Sequence, residues 1–337
     1  MYRSKAFLRD MLKFPLAHHQ EAEVSNLEPG KCNNFNFRFR LDQDGKKVFY
    51  DSQDQETLIQ PIYLLQHHTV ADFEGTTKIF IEKGVSAHFV IAKDGVVEEF
   101  VDPKYRAYHA GVGSLKFGSK INPYFTQTNF MNSMSVGIEN VNNGNEPYSL
   151  DQMKANISLC SEICDQYPTM EPKKMLGHSD WSPGRKIDPN PYFPWKDFAQ
   201  ASDGKAGNPF NELGLEKNFG VFQEDEVGVT PDLDALISWK DGSQNSSEDI
   251  ESFQESLREY GYDIPDTELG ILETKTLHSI FAFKLHFCGQ EILTSPYQKG
   301  FWEMIHGGNE VDQSMKYLCE VTQNHLDIIG NILDQPF

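Results

Sequence analysis

Short apolar runs separated by polar turns dominate the middle of the chain. The run PIYLLQH predicts a strand from Ile62 to Gln66 that presents His67 at its C-terminal end. Two β-rich runs, AHFVIA and VVEEFV, flank Lys93-Asp94-Gly95, a typical hairpin signal. The segment MSVGIENV predicts another strand, with Glu139 near its end. This part of the chain is therefore predicted to be rich in short strands that end in polar residues.

Helical periodicity marks other segments. Residues 72–83 predict a short helix, and Ser149 followed by Gln152 gives a capping-box pattern for a longer helix that ends at Pro168. Residues 102–132 are rich in Tyr, Gly, Asn and Pro and predict a long loop, a length that is uncommon unless the loop is functional. Near the C-terminus the apolar stripes are Ile250, Phe253 and Leu257; Leu277, Ile280, Phe281 and Leu285; and Phe301, Trp302 and Ile305. Each stripe is closed by Gly, the usual C-cap residue, and residues 311–333 predict one further amphipathic helix.

Charge and cysteine content narrow the classes of function. The 337 residues carry a formal net charge of −20, which argues against nucleic acids and anionic lipid surfaces as partners. Acidic residues concentrate between Glu224 and Glu255, which indicates a solvated linker.

The five cysteines are odd in number and widely spaced, which favours free thiols over a disulfide scaffold. Cys160 and Cys164 share the apolar stripe of a predicted helix, and this favours burial there over metal binding.

The N-terminal segment MYRSKAFLRDMLKFPLAHHQEAEV lacks the apolar core of a secretory signal, and no lipoprotein-type Cys follows an apolar stretch. No segment reaches the roughly 18 apolar residues that a membrane span needs. We therefore expect a cytoplasmic protein or one exported by an unusual route. A periplasmic or extracellular location stays open for a truncated sequence.

The stretch GHSDWSPGRKIDPNPYFPW, residues 177–195, places His178 and Asp188 ten positions apart. Together with His67, these residues offer two imidazoles and a carboxylate, which leave the fourth position of a tetrahedral zinc site open for catalysis. Glu139 stands in an otherwise apolar strand and is either a general base, an exposed side chain or half of an ion pair. Lys186 is either a solvated surface charge or a group that stabilises an oxyanion. These patterns make metal-assisted hydrolysis the first hypothesis.

Five stretches then carry a resemblance to a known family. In chain order, LLQHHTV, AHFVIAKDGVV, YHAGVG, MNSMSVGIENVNNG and the 177–195 motif resemble the motifs of zinc-dependent N-acetylmuramoyl-L-alanine amidases. That family also includes peptidoglycan recognition proteins, and the similarity is greatest to the AmiD/AmpD-like branch, which acts on muropeptides, including 1,6-anhydro forms. The resemblance covers about residues 58–200. It implies an α/β fold with a mixed central β-sheet flanked by helices.

The resemblance also implies roles for residues. It makes His67, His178 and Asp188 the ligands of one Zn²⁺ per chain, Glu139 the general base and Lys186 the oxyanion-stabilising group. Substrate contacts are expected at His88, Tyr108, His109 and Asn132. The implied reaction cuts the amide between the lactyl group of N-acetylmuramic acid and L-Ala of the stem peptide. Ala87 stands where some relatives have a tyrosine that assists catalysis, so that role would fall to Glu139 and Lys186.

Two rival functions stay open beside the amidase. A non-catalytic peptidoglycan receptor would lack a metal ligand, and the presence of all three argues against it. A wall-degrading effector delivered to another cell would use the same chemistry.

The expected organisation is an extension over residues 1–55, the amidase domain over 56–200, a linker over 201–245, a small all-α three-helix domain over 246–310 that resembles peptidoglycan-binding domains, and a helix over 311–337. A monomer that acts on peptidoglycan or muropeptides is expected.

Overall fold

The computed structural model describes residues 60–126, 129–201, 248–294, 321 and 323–334, together with the backbone of three short strands near the N-terminus. The strands are β1 (Phe35–Phe37), β2 (Phe39–Leu41), β3 (Lys47–Phe49), β4 (Tyr63–His68), β5 (Phe89–Ile91), β6 (Val97–Glu99), β7 (Tyr105–Ala107), β8 (Ser135–Asn140) and β9 (Met175–Gly177). The helices are α1 (Phe73–Glu82), α2 (Met131–Met134), α3 (Leu150–Gln166), α4 (His178–Trp181), α5 (Trp195–Ala199), α6 (Glu248–Tyr260), α7 (Thr274–Phe287), α8 (Gly289–Thr294) and α9 (Gln323–Leu333).

A mixed five-stranded sheet in the order β6-β5-β8-β4-β9 organises the first part of the chain. Strands β4 and β5 both run parallel to β8, which lies between them. Strand β6 pairs antiparallel with β5 and confirms the predicted hairpin. All six residues of β4 are buried, as expected for a central strand that is covered on both faces. The predicted class, a mixed sheet flanked by helices, is confirmed.

The two predicted helices form, one with the predicted Ser149 cap and the other with a cap at Asp72. Asp72 accepts a hydrogen bond from the backbone N–H of Gly75 at the start of α1, and Ser149 accepts one from Gln152 N–H at the start of α3. The Gln152 side chain does not return to the cap, however, because its amide donates to the carbonyls of Ile91 and Val141. The capping-box residue therefore fastens the helix to the sheet.

Three local predictions need correction. Strand β4 continues through both His67 and His68, so His67 lies within the strand and not after it. The predicted loop over residues 102–132 contains β7, which pairs antiparallel with β1. The 177–195 motif contains the short helix α4 at its start. In each case the difference depends on backbone hydrogen bonds, which the pattern of apolar residues does not predict.

Helix α1 packs on the sheet through a buried apolar cluster, and helix α3 carries two buried cysteines. Phe80 of α1 packs with Ala87, Val90, Phe100 and Val141 in an apolar cluster on the sheet. Cys160 and Cys164 are buried on α3, and Cys288 is buried just after the end of α7. This confirms the expected burial of the first two; Cys32 and Cys319 lie outside the described residues.

By compactness the chain divides into two units. One comprises residues 1–111, 129–176 and 197–220, and the other comprises residues 112–128, 177–196 and 221–337. Within the second unit, the apolar stripes of α6 and α7 are buried as predicted, except that Leu277 is half-buried. The third predicted stripe, Phe301 to Ile305, lies outside the described residues. Among the described residues, no helix has the length and apolarity that crossing a membrane requires.

Candidate metal centre

His67 and Glu139 mark the candidate centre on the sheet. They are register partners on β4 and β8, and partners on neighbouring parallel strands point to the same face of the sheet. His67 is buried, with 1% of its surface exposed, whereas Glu139 is half-buried. A buried imidazole and a more accessible carboxylate therefore stand side by side.

His109 lies across the same face and orients His67. Its Nδ1 is 2.9 Å from His67 Nε2, and its Nε2 is 3.4 Å from Ser135 Oγ. Ser135 in turn donates its hydroxyl hydrogen to the Met131 carbonyl. The His109 ring thus lies between the His67 ring and Ser135. Gly137 makes this possible, because a Cβ there would lie 2.4 Å from the His109 ring.

Three buried amides fix the ends of the two strands. Asn156 of α3 donates to Gln66 Oε1 and Asn140 Oδ1, each at 2.8 Å. Asn140 also donates to the carbonyl of His67 at 3.0 Å. All three amide side chains are fully buried, and such groups are stabilising only when they are hydrogen-bonded. The network thus holds the backbone of His67 from the helix-covered side.

The segment from Gly177 to Asp188 supplies the other two candidate ligands. His178 is the first residue of α4, and its Nδ1 lies 3.0 Å from Asp188 Oδ2. The backbone reinforces this approach, since Ser179 N–H donates to the Asp188 carbonyl. Arg185 Nη2 lies 3.3 Å from His178 Nε2. Burial lowers the pKa of Arg185, and the negative charge of Asp188 counteracts that shift.

One ligand atom from each of His67, His178 and Asp188 lies within 4.8 Å of the other two, and all three residues are buried. Two imidazoles and one carboxylate are a donor set that catalytic zinc uses, with a further position left for a small ligand. The residues present therefore fit zinc.

A second cluster, Cys288, Glu291 and His325, has a similar spacing. Here the carboxylate is already neutralised, because Lys284 Nζ lies 3.0 Å from Glu291 Oε1 and His325 Nε2 lies 2.7 Å from Oε2. The buried ammonium would repel a cation. This cluster is therefore a closed ion-pair network, and it does not compete with the first as a metal centre.

The remaining predicted site residues fall into different surroundings. Lys186 is half-buried in the turn after α4, where its backbone N–H donates to Ser182. Tyr108 is half-buried beside Arg106, whose guanidinium carbon is 5.1 Å from the centre of the phenol ring. Asn132 is buried and accepts from the backbone N–H groups of His109 and Ala110. Asn132 thereby shapes the turn that carries His109.

His88 has an internal position. It is fully buried, its Nδ1 accepts from Gly137 N–H, and its Nε2 lies 3.1 Å from the Tyr105 carbonyl. The ring therefore links backbone groups of β8 and β7. The substrate contact expected at His88 stays a prediction.

Sequence reasoning missed the groups that support these side chains. Gln66, Asn140 and Asn156 are isolated amides in apolar segments of the sequence. Because burying an amide is costly unless it is hydrogen-bonded, their positions indicated that these side chains bind to buried polar partners. The contact of His109 with His67 had no signal, because the two residues are far apart in the chain.

The chain is similar in sequence to known proteins. Residues 58–191 match the family model described as N-acetylmuramoyl-L-alanine amidase. N-acetylmuramoyl-L-alanine amidase AmiD of Escherichia coli K12 is 24% identical over 265 residues, which cover 73% of this chain and 82% of that protein. The 1,6-anhydro-N-acetylmuramyl-L-alanine amidase AmpD of Haemophilus influenzae is 32% identical over 114 residues, which cover 34% of this chain and 56% of that protein. The chain thus spans about half the length of the AmpD relatives that it matches.

A solved structure shares the fold. The E. coli amidase AmiD, in complex with its substrate anhydro-N-acetylmuramic acid-L-Ala-D-gamma-Glu-L-Lys, superposes with a TM-score of 0.54 at 21% identity. The match covers 87% of this chain and 96% of that one. At this level of identity the likeness shows the fold alone.

Proposed function

We propose that this chain, whose residues 58–191 form an N-acetylmuramoyl-L-alanine amidase domain, is a zinc-dependent amidase of muropeptides. The bond that it hydrolyses is the amide between the lactyl group of N-acetylmuramic acid and L-Ala. The observation that carries the proposal is the approach of the buried donors of His67, His178 and Asp188 to within 4.8 Å, with Glu139 in register beside His67.

His67, His178 and Asp188 would hold one zinc ion. When bound, zinc supplies Lewis-acid polarisation of the scissile carbonyl. His109 keeps the His67 ring in one orientation through the 2.9 Å contact, and a partner of this kind also fixes the tautomer. The Asp188 carboxylate, close to His178, balances the charge of a divalent cation.

Glu139 is the proposed general base. It takes a proton from the attacking water and delivers it to the departing amine of L-Ala, so one carboxylate serves both transfers. Glu139 is half-buried near the C-terminal end of β8, in register with His67. The Lys186 ammonium, two residues before Asp188, is proposed to stabilise the oxyanion that forms on the carbonyl.

The sugar is proposed to be N-acetylmuramic acid, including its 1,6-anhydro form. The names of the relatives support this choice, since AmpD is a 1,6-anhydro-N-acetylmuramyl-L-alanine amidase and AmiD was solved with an anhydro-muropeptide substrate. Tyr108 and the turn that carries His109 are the proposed substrate contacts, because both residues are half-buried and not enclosed. His88 and Asn132 are proposed to support that turn from inside.

The test combines metal analysis with digestion. Purified protein should contain close to one zinc per chain and should release a stem peptide beginning with L-Ala from purified anhydro-muropeptides, as read by mass spectrometry. A chelator should abolish release, and added zinc should restore it. A chain that binds zinc and muropeptides without cutting them would instead be a peptidoglycan receptor.

A further inference from the structure

A residue just after α6 and a residue of α7 both bind one buried carboxylate of the candidate metal-binding segment. Asp180, the third residue of α4, is fully buried. Its Oδ1 accepts from the Tyr262 hydroxyl at 2.7 Å, just beyond the end of α6. Its Oδ2 accepts from Gly177 N–H at 2.7 Å and lies 2.7 Å from His286 Nδ1, near the end of α7. All of these residues belong to the second compact unit of the chain.

The Asp180 carboxylate is the acceptor in each of these hydrogen bonds. Burial raises the pKa of Tyr262 well above its ordinary value, and the negative charge of Asp180 adds to this shift, so the phenol is protonated and donates. Within the described residues, His286 Nε2 is buried and meets no hydrogen-bond partner. The hydrogen bond of the His286 ring is therefore the one that Nδ1–H donates to Asp180. Three donors thus converge on one carboxylate.

This arrangement matters to His178, which lies between Gly177 and Asp180 in the chain. A buried carboxylate is costly to desolvate unless hydrogen-bond donors surround it. Tyr262 and His286 supply two of those donors, and the third is the backbone N–H that immediately precedes His178. The position of the His178 backbone therefore depends on side chains more than 80 residues away.

Two further contacts hold the same segment against α7. The Trp195 ring stacks on His286, with 3.8 Å between ring centroids. Gly184 is so close to His278 that a Cβ on Gly184 would lie 2.0 Å from the imidazole. The segment from Gly177 to Trp195 is thus held along its length and not only at Asp180.

We propose that Tyr262 and His286 are positioning residues of the metal centre, which act through Asp180 on the backbone that carries His178. The helical segment then forms part of the scaffold of the hydrolytic site, in addition to any contact that it makes with the cell wall. The inference rests on the proposed function only in taking His178 and Asp188 as metal ligands.

The test uses full-length protein with three variants. His286→Phe keeps a ring between Trp195 and Phe287 and removes the donor to Asp180. His286→Asn restores a donor near the position of Nδ1. Tyr262→Phe removes only the hydroxyl. The control is Lys284→Met, which alters the same helix as His286 but removes a different interaction, the ion pair between Lys284 and Glu291 of α8.

Zinc affinity, measured by competition with a fluorescent chelator, is the readout. His286→Phe and Tyr262→Phe should each weaken zinc binding about 10-fold, the lower end of what outer-shell partners contribute. His286→Asn should recover part of the loss, and Lys284→Met should lower the melting temperature without changing zinc affinity. Cobalt-substituted protein should show an altered visible spectrum only in the first two variants.

The outcomes separate this inference from the proposed function. If wild-type protein binds zinc and the two phenylalanine variants bind it equally well, the positioning role is wrong and the proposed function stands. If Lys284→Met weakens zinc binding as much as they do, the effect is general destabilisation and the positioning role is again wrong. If wild-type protein binds no zinc, the proposed metal centre itself is wrong.

Discussion

His67 and Glu139 are paired across parallel strands β4 and β8, so the imidazole and the carboxylate leave the same face of the sheet. The two side chains differ in exposure, since His67 is 1% exposed and Glu139 is half-buried. This difference fits separate roles, in which the more buried His67 is a metal ligand and the more exposed Glu139 is a general base. Substitution of Glu139 separates the two roles.

Replacing Glu139 with Gln should abolish turnover without releasing zinc. Glutamine has nearly the same shape but cannot accept a proton from water, and loss of a general base typically costs 10²–10⁴-fold in rate. Zinc content and single-turnover hydrolysis of a muropeptide, measured on one preparation, check this. Retained activity would remove Glu139 from the mechanism.

Replacing His178 with Ala should eliminate both zinc binding and activity, because one of three ligands is lost. His68→Ala is the matched control, since His68 is also a buried histidine on β4 but is not in the cluster with His178 and Asp188. Its zinc content should stay near that of wild type. Equal zinc loss in both variants would mean that zinc content reports folding and not ligation.

Replacing Gly184 with Ala should destabilise the motif between α4 and Asp188. Gly184 has φ +77°, a conformation that costs other residues roughly 1–2 kcal/mol, and its Cβ would also strike His278. Adding His278→Ala should relieve the steric part and leave the backbone part. Thermal unfolding of both single variants and the double variant checks this, and a double variant no more stable than Gly184→Ala would exclude the steric contribution.

Acid should weaken the network of Lys284, Glu291 and His325. Burial raises the pKa of Glu291, but the hydrogen bond from His325 and the charge of Lys284 outweigh it and lower the pKa to about 2. Because the unfolded carboxyl titrates near 4.5, stability should be lost as pH falls from 4.5 towards 2. Burial also lowers the pKa of His325 below 6.5, so the unfolded state binds that proton first and stability should begin to fall below about pH 6.5.

Glu291→Gln tests this pH dependence. The variant should be less stable than wild type at pH 7 and should lack the decline below pH 4.5. Melting temperatures of both proteins between pH 7.5 and pH 3 provide the measurement. Parallel curves in that range would show that Glu291 does not carry the acid sensitivity.

The sequence predicted those parts of the fold that local chemistry determines. Helix α1 with its Asp72 cap, helix α3 with Ser149, and the hairpin around Gly95 all have signals within a few residues. Strand β7 had none, because its pairing partner β1 lies about 70 residues earlier in the chain. The five-stranded order also depends on long-range pairing, and the resemblance predicted a mixed central sheet but not the order of its strands.

In the candidate site, too, the sequence predicted what has a local signal and missed what depends on long-range contacts. His178 and Asp188 stood out because they lie ten positions apart in one motif, and His67 was added as a third donor at the end of a predicted strand. The resemblance then implied the same three ligands. Nothing in the phrase FKLHF distinguished His286 from a surface histidine. Only the structure shows that it donates to Asp180, because a contact between residues 106 positions apart leaves no local pattern.

The central claim is that this chain hydrolyses the bond between the lactyl group and L-Ala, and isotope-labelled water tests it most directly. An anhydro-muropeptide should be digested in H₂¹⁸O with zinc-loaded protein, and the products analysed by mass spectrometry. One ¹⁸O should appear in the carboxylate of the muramic acid product, and the stem peptide should be unlabelled and carry a free L-Ala amine. Label in the peptide fragment, or an uncut muropeptide, would contradict hydrolysis at this bond.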